Sequence, residues 1–342
     1  MIRKDLSAGL DFTRLIACFM VVVLHVSATG ISDFSDQWAY FNAYDSFVRT
    51  CVPLFLMLSG ALLLGREEGV ADFYIKRFSR IFPPLIFWSV FYVMVKAAFG
   101  GGHSGLMAPL LSMLKGPVHF HLWYLYALVG IYLFIPFMSR IYRTTTASEK
   151  RVYLAIWFVV ACVIPLVTYF YPDIGDLVAV YGLSSFVGLS GFVFLGAYTF
   201  DQMRTQPASS VVLDAAGFIL CAVCTALATY WLSLSDGAPN QLFFSYLSPL
   251  VAVGAFFGFR LLVVLGARLA NYANLLKAVS GCTLGVYCLH ILVLKASSLV
   301  YGRLIEGHSM LWIIPVLAVS IFLITLAAIF IARLVKPLRH II

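Results

Sequence analysis

His25 follows Arg14 by eleven positions in the stretch LDFTRLIACFMVVVLHVS, residues 10–27. At about 1.5 Å per residue, a helix sets them roughly 16 Å apart, and steps of about 100° bring both back to one face. An imidazole can take or give a proton, or carry a transferred group. A guanidinium binds phosphate through paired N–H donors. One helix face therefore joins an anion-binding group to a proton-transfer group. Asp11, three residues before Arg14, is spaced to pair with it. The bland alternative is an interfacial Arg and a His satisfied by a neighbouring helix.

Four further clusters carry the same ambiguity. His290 lies in SGCTLGVYCLHILVL with Tyr287 one turn earlier, a second histidine in an apolar run. His119, His121, Trp123, Tyr124 and Tyr126 gather in HFHLWYLY, either as an interfacial aromatic belt or as an outward platform for stacking on a sugar. In FYIKRFSRIFPPL, Lys76 precedes Arg77 and Arg80, whose spacing puts two guanidinium forks on one helical face. They suit phosphates, or they only mark the cytoplasmic side. Ser59-Gly60 within VPLFLMLSGALLL reads first as close helix packing and second as room for a substrate. Cys221 and Cys224 form a CxxC, but inside an apolar run with no second pair and no nearby His, so no metal site is expected.

The elements that must position these residues follow from composition. The 342 residues are 62% hydrophobic and 11% charged, with mean hydropathy +0.97. That excludes an ordinary soluble domain. Apolar blocks of about 18 to 23 residues match a hydrocarbon core of about 30 Å, and helices are the way such blocks cross it. Ten spans are expected, over 12–30, 47–65, 81–99, 121–139, 152–171, 179–200, 211–233, 243–264, 278–299 and 311–333. The fold expected is an all-α polytopic membrane protein in one transmembrane domain, 1–342, without an appended soluble domain. The first block also resembles a signal peptide, but the many spans that follow favour one that is retained.

The net charge of +8 does not point to nucleic acid, because the basic residues sit in short loops. With the N-terminus inside, 18 of the 23 Lys and Arg fall on the inner side and five, Arg49 among them, on the outer side. This asymmetry predicts both termini in the cytoplasm. Any single inner Arg is thus a topology residue by default. Histidines at membrane depth are not explained that way.

Taken together, these motifs resemble membrane-bound acyltransferase family 3. The resemblance rests on Arg14 and His25 at the family's first-span spacing, within Leu10-Asp11-Phe12-Thr13-Arg14-Leu15-Ile16-Ala17. It rests also on Pro53, Phe55, Ser59 and Gly60, with one residue more between Phe and Ser than the family pattern. Arg77 and Arg80, then His121-Leu122-Trp123-Tyr124-Leu125, then Tyr287 and His290 complete the series. The motifs run in the family's order over essentially the whole chain, in its stand-alone form.

The resemblance implies transfer of an acyl group, most often acetyl, from cytoplasmic acyl-CoA to a hydroxyl of an extracytoplasmic or lipid-linked glycan, in a bacterial inner membrane. Acyl-CoA is then a donor substrate, with no permanently bound cofactor; membrane lipids are partners and nucleic acid is not. On this reading Arg77, Arg80, Lys76 and Arg14 dock the phosphates of the donor. His25 is the catalytic histidine, as general base or as acyl carrier, with Tyr287 and His290 orienting it or steadying the oxyanion. His121, Trp123, Tyr124, Arg49 and Ser59 are the candidate substrate contacts. The rival reading is a proton-coupled secondary transporter that uses midplane histidines. It would favour two matching halves, which the sequence does not show.

Overall fold

The computed structural model describes residues 4–99, 113–205, 210–305 and 308–341, and among them every regular element is helical. The order is α1 (Lys4–Ser27), α2 (Trp38–Val48), α3 (Cys51–Leu63), α4 (Val70–Phe99), α5 (Trp123–Thr144) and α6 (Ala147–Phe170). There follow α7 (Ser190–Thr205), α8 (Val211–Asp236), α9 (Pro249–Ala267), α10 (Ala273–Ser280), α11 (Thr283–Ile305) and α12 (Met310–Ala332). Residues 1–3 and 100–112 lie outside the described residues.

Eight helices among the described residues are long and apolar enough to cross a membrane. A ninth is made if Ala270–Ser280 and Thr283–Ser298, bent by 54°, form one broken span. The bend falls at Gly281 and Cys282, between α10 and α11. The sixth expected span, 179–200, is not one helix. Gly182 and Gly188 adopt φ of 62° and 112° there, a region that ends helices. The helix resumes only at Ser190 as α7, of 16 residues. The second expected span begins earlier than hydropathy suggests, because α2 and α3 follow each other across Arg49 and Thr50.

Lipid gives helices no hydrophobic reason to associate, so close backbone packing carries much of the bundle. Gly60 of α3 faces Val193 of α7, and a Cβ there would collide with the Val193 carbonyl oxygen. Gly196 of α7 meets the Met57 backbone in the same way. Helix α1 is central, packing on α2, α3, α9, α10, α11 and α12. Thr13, Ala17, Cys18, Val21 and Val22 are buried in that setting. A helix so enclosed can hold Arg14 and His25 against protein rather than lipid.

Candidate functional site

Three histidines from three elements meet at one end of α1. His25 comes from α1, His121 from the 3₁₀ turn Phe120–Leu122 that opens α5, and His290 from α11. The His25 and His290 rings lie 5.1 Å apart, and His121 is 5.6 Å from His290. His121 and His290 are fully buried, while His25 is partly exposed beneath the exposed ring of Phe120, 5.5 Å away.

Carbonyl partners fix the hydrogen positions on these rings. Nδ1 of His290 lies 2.7 Å from the Tyr287 carbonyl and 3.1 Å from that of Val286. Carbonyls only accept, so His290 carries its proton on Nδ1 and, when neutral, keeps a lone pair on Nε2. That Nε2 is buried and has no hydrogen-bond partner among the described residues. His290 is therefore an acceptor beside His25, a group that can orient an imidazole in place of a carboxylate.

The same logic runs outward from His121. Its Nε2 donates to the Cys288 carbonyl at 3.1 Å, which leaves Nδ1 to accept from Nδ1 of His119 at 2.8 Å. Nε2 of His119 then accepts from the Lys295 ammonium at 3.2 Å. Burial, with the Lys295 charge adding to it, brings His119 down to about 4. Tyr92 donates to the Cys288 carbonyl at 2.7 Å, and the Tyr287 hydroxyl donates to the His121 carbonyl. These bonds tie α4, α5 and α11 together around the histidines.

A cavity of about 580 Å³ runs from the arginines to Tyr124 and Tyr287. Arg14, Arg66, Arg77 and Arg80 line one part; Phe55, Ser59, Leu125, Leu128 and Leu284 supply apolar and small walls; Tyr124 and Tyr287 line it as well. The rings of Tyr124 and Tyr287 are 5.9 Å apart, and Tyr287 is 6.1 Å from His290. His25 and His290 do not line the cavity, so Tyr287 stands between it and the histidines.

The charges on the cavity wall are unequally paired. Arg14 bonds Asp11 at 2.9 Å, and Ser280 donates to the same Asp11 oxygen at 2.9 Å. Arg77 lies 3.5 Å from Glu68, but its Nε and Nη2 make no hydrogen bond among the described residues. Arg66 and Arg80 have no side-chain partner among the described residues. Free guanidinium groups beside a narrow, partly apolar channel suit a ligand with phosphates at one end and a thin arm at the other.

The structure sorts the sequence candidates. Arg14, Arg77, Arg80, Ser59, Tyr124 and Tyr287 share the cavity, and His25, His121 and His290 share the cluster beyond it. Lys76 does not line the cavity; it bonds Glu68 at 3.0 Å and, with Arg77, holds that carboxyl below its usual range. His121 is enclosed and offers no outward platform. Trp123 stacks on Tyr246 at 5.6 Å. Arg49 is not in a loop but at the α2–α3 break, paired with buried Asp45 and 4.5 Å over the Phe244 ring. Ser59 donates to the Phe55 carbonyl in its own helix. Arg66, Lys295 and the role of His119 are not singled out by sequence. Arg66 looks like any inner-side charge, and Lys295 is five residues past His290, off its helical face. Among the described residues no group of three or more His, Cys, Asp or Glu is arranged to hold a metal ion.

The arrangement can bind a polyanion at one end and move a proton or an acyl group at the other. No curated protein and no solved structure matches the chain. A family model described as "Acyltransferase domain" matches residues 7–334, nearly the whole chain, and the protein therefore belongs to acyltransferase family 3.

Proposed function

We propose that this acyltransferase moves a short acyl group, acetyl in the first instance, from acyl-CoA to a hydroxyl of a glycan on the other face of a bacterial inner membrane. The observation that carries the reading is the cavity that joins Arg14, Arg77 and Arg80 to Tyr287, one turn from His290 and the His25 cluster. The arginine end faces the cytoplasm, where the positive-inside asymmetry also puts it. Coenzyme A phosphates dock on Arg77 and Arg80, and the pantetheine arm lies along the face of α1 toward His25. Tyr287 moves aside to admit the thioester.

His25 then acts as general base. It takes the proton of the acceptor hydroxyl as that oxygen attacks the thioester carbonyl, the C–S bond breaks, and the proton passes to the departing thiolate. His290 accepts a hydrogen bond from the other nitrogen of His25 and steadies the imidazolium. General base catalysis of this kind is typically worth about 10²- to 10⁴-fold. The test is binding of acetyl-CoA to purified protein in nanodiscs, followed by transfer of labelled acetyl to membrane glycans. Affinity is expected to fall in Arg77→Ala and Arg80→Ala. Unchanged affinity in both would remove the docking site, and no labelled glycan with active wild type would remove the acceptor class.

A further inference from the structure

A second cavity, of about 350 Å³, opens between the ends of α3 and α7. Gly60, Ala61, Gly65 and Ala197 make its small-residue walls, and Arg66, Asp201 and Arg204 its polar ones. Leu62 and Arg66 line this cavity and the first one alike, so they form a shared partition. Arg66 has no side-chain partner among the described residues, and so presents a free guanidinium to both spaces. Arg204 is only loosely held, 3.7 Å from Asp201, whose other oxygen accepts from Tyr142 at 2.6 Å.

We propose that this second cavity is the subsite for the nucleotide end of the donor, the adenosine 3′,5′-bisphosphate of coenzyme A. The inference rests on the donor reading given above and adds where the donor's bulk is held. Coenzyme A is a thin arm joined through a pyrophosphate to a broad nucleotide. The first cavity suits the arm, with Arg77 and Arg80 for the pyrophosphate. A nucleotide needs a separate space next to that pyrophosphate, and ligand pockets of about 300 Å³ or more are of the right order. Arg66 sits at the junction, where one guanidinium can bridge the pyrophosphate and the nucleotide phosphate. Arg204 supplies a second cation at the far wall. Asp201, partly neutralised by Tyr142 and Arg204, is an acceptor for a ribose hydroxyl or the adenine amine.

Gly65 makes the test clean. A Cβ added at Gly65 meets nothing within 4 Å, and its φ is not in the positive region, so a side chain is accommodated at this lining position without disturbing the backbone. Gly65 and Arg204 line the second cavity and not the first. Full-length protein in nanodiscs is titrated with acetyl-CoA and with the truncated donor S-acetyl-4′-phosphopantetheine. Gly65→Phe and Arg204→Ala are expected to weaken acetyl-CoA about 10-fold or more while leaving the truncated donor within about 2-fold. If Gly65→Phe and Arg204→Ala bind acetyl-CoA like wild type, or weaken both donors equally, the subsite is wrong while the donor reading stands. If wild-type protein binds neither donor, the donor reading fails and takes the subsite with it.

Discussion

Replacing His290 tests the orienting role at a single atom. Nδ1 is committed to the Tyr287 and Val286 carbonyls, and Nε2 has no partner among the described residues. His290→Phe keeps a ring of similar shape and removes the acceptor. A hydrogen bond between His25 and a buried acceptor is worth about 1–3 kcal/mol once a charged partner forms. At about 1.4 kcal/mol per decade, the rate of transfer should fall about 5- to 140-fold. KM for acetyl-CoA should hold, because His290 is not on the cavity wall. His290→Gln places an amide near the position of Nε2 and should recover part of the rate. His290→Asn places its amide near Nδ1 and should not. The assay is transfer of labelled acetyl from acetyl-CoA to endogenous acceptor in inverted membrane vesicles, with expression matched by immunoblot. Full activity in His290→Phe, or better rescue by Asn than by Gln, would refute the tautomer argument.

Three other outcomes follow from the same geometry. Gly60→Val forces a methyl-bearing carbon onto the Val193 carbonyl, and overpacking of that kind costs about 1–3 kcal/mol; melting in detergent should fall clearly, with Gly65→Ala as a neutral control. Arg80→Ala should raise KM for acetyl-CoA about 10-fold with kcat little changed, while Lys76→Ala, whose ammonium faces Glu68, should stay within about 2-fold. His119 is neutral in the fold down to about 4, whereas an unfolded histidine protonates near about 6.5. Between those values the unfolded chain binds more protons, so this contribution to stability rises with pH across that window and is constant above it. His119→Gln should therefore flatten the loss of melting temperature seen on going from neutral pH toward the lower value.

Hydropathy alone exposes most of the bundle, because a bilayer demands long apolar helices and the chain has them. It misses the break over 179–200, since Gly182 and Gly188 interrupt a helix without lowering the mean apolarity of the window. It starts the second span at 47, which separates Arg49 from Asp45, although their spacing of four residues is that of a helical pair. The histidine cluster was half visible. His25 and His290 stand out by depth, but their meeting with His121 depends on how α1, α5 and α11 pack. The His119–His121 bond needs the 3₁₀ turn at Phe120–Leu122, because residues two apart do not face each other on an α-helix. Arg66 is hidden for a different reason. Every inner loop carries Lys or Arg for topology, and only the cavity walls distinguish a ligand-facing guanidinium from a topological one.

On the proposed reading His25 performs transfer beyond Tyr287, the residue that closes the donor cavity from the histidines. The most direct test of that reading is mass spectrometry of surface glycans from wild-type cells, a deletion strain, and the deletion complemented with His25→Gln at matched expression. One acyl mass increment is expected in the first strain and is expected to be missing from the other two. Restoration of that mass by His25→Gln would contradict the reading.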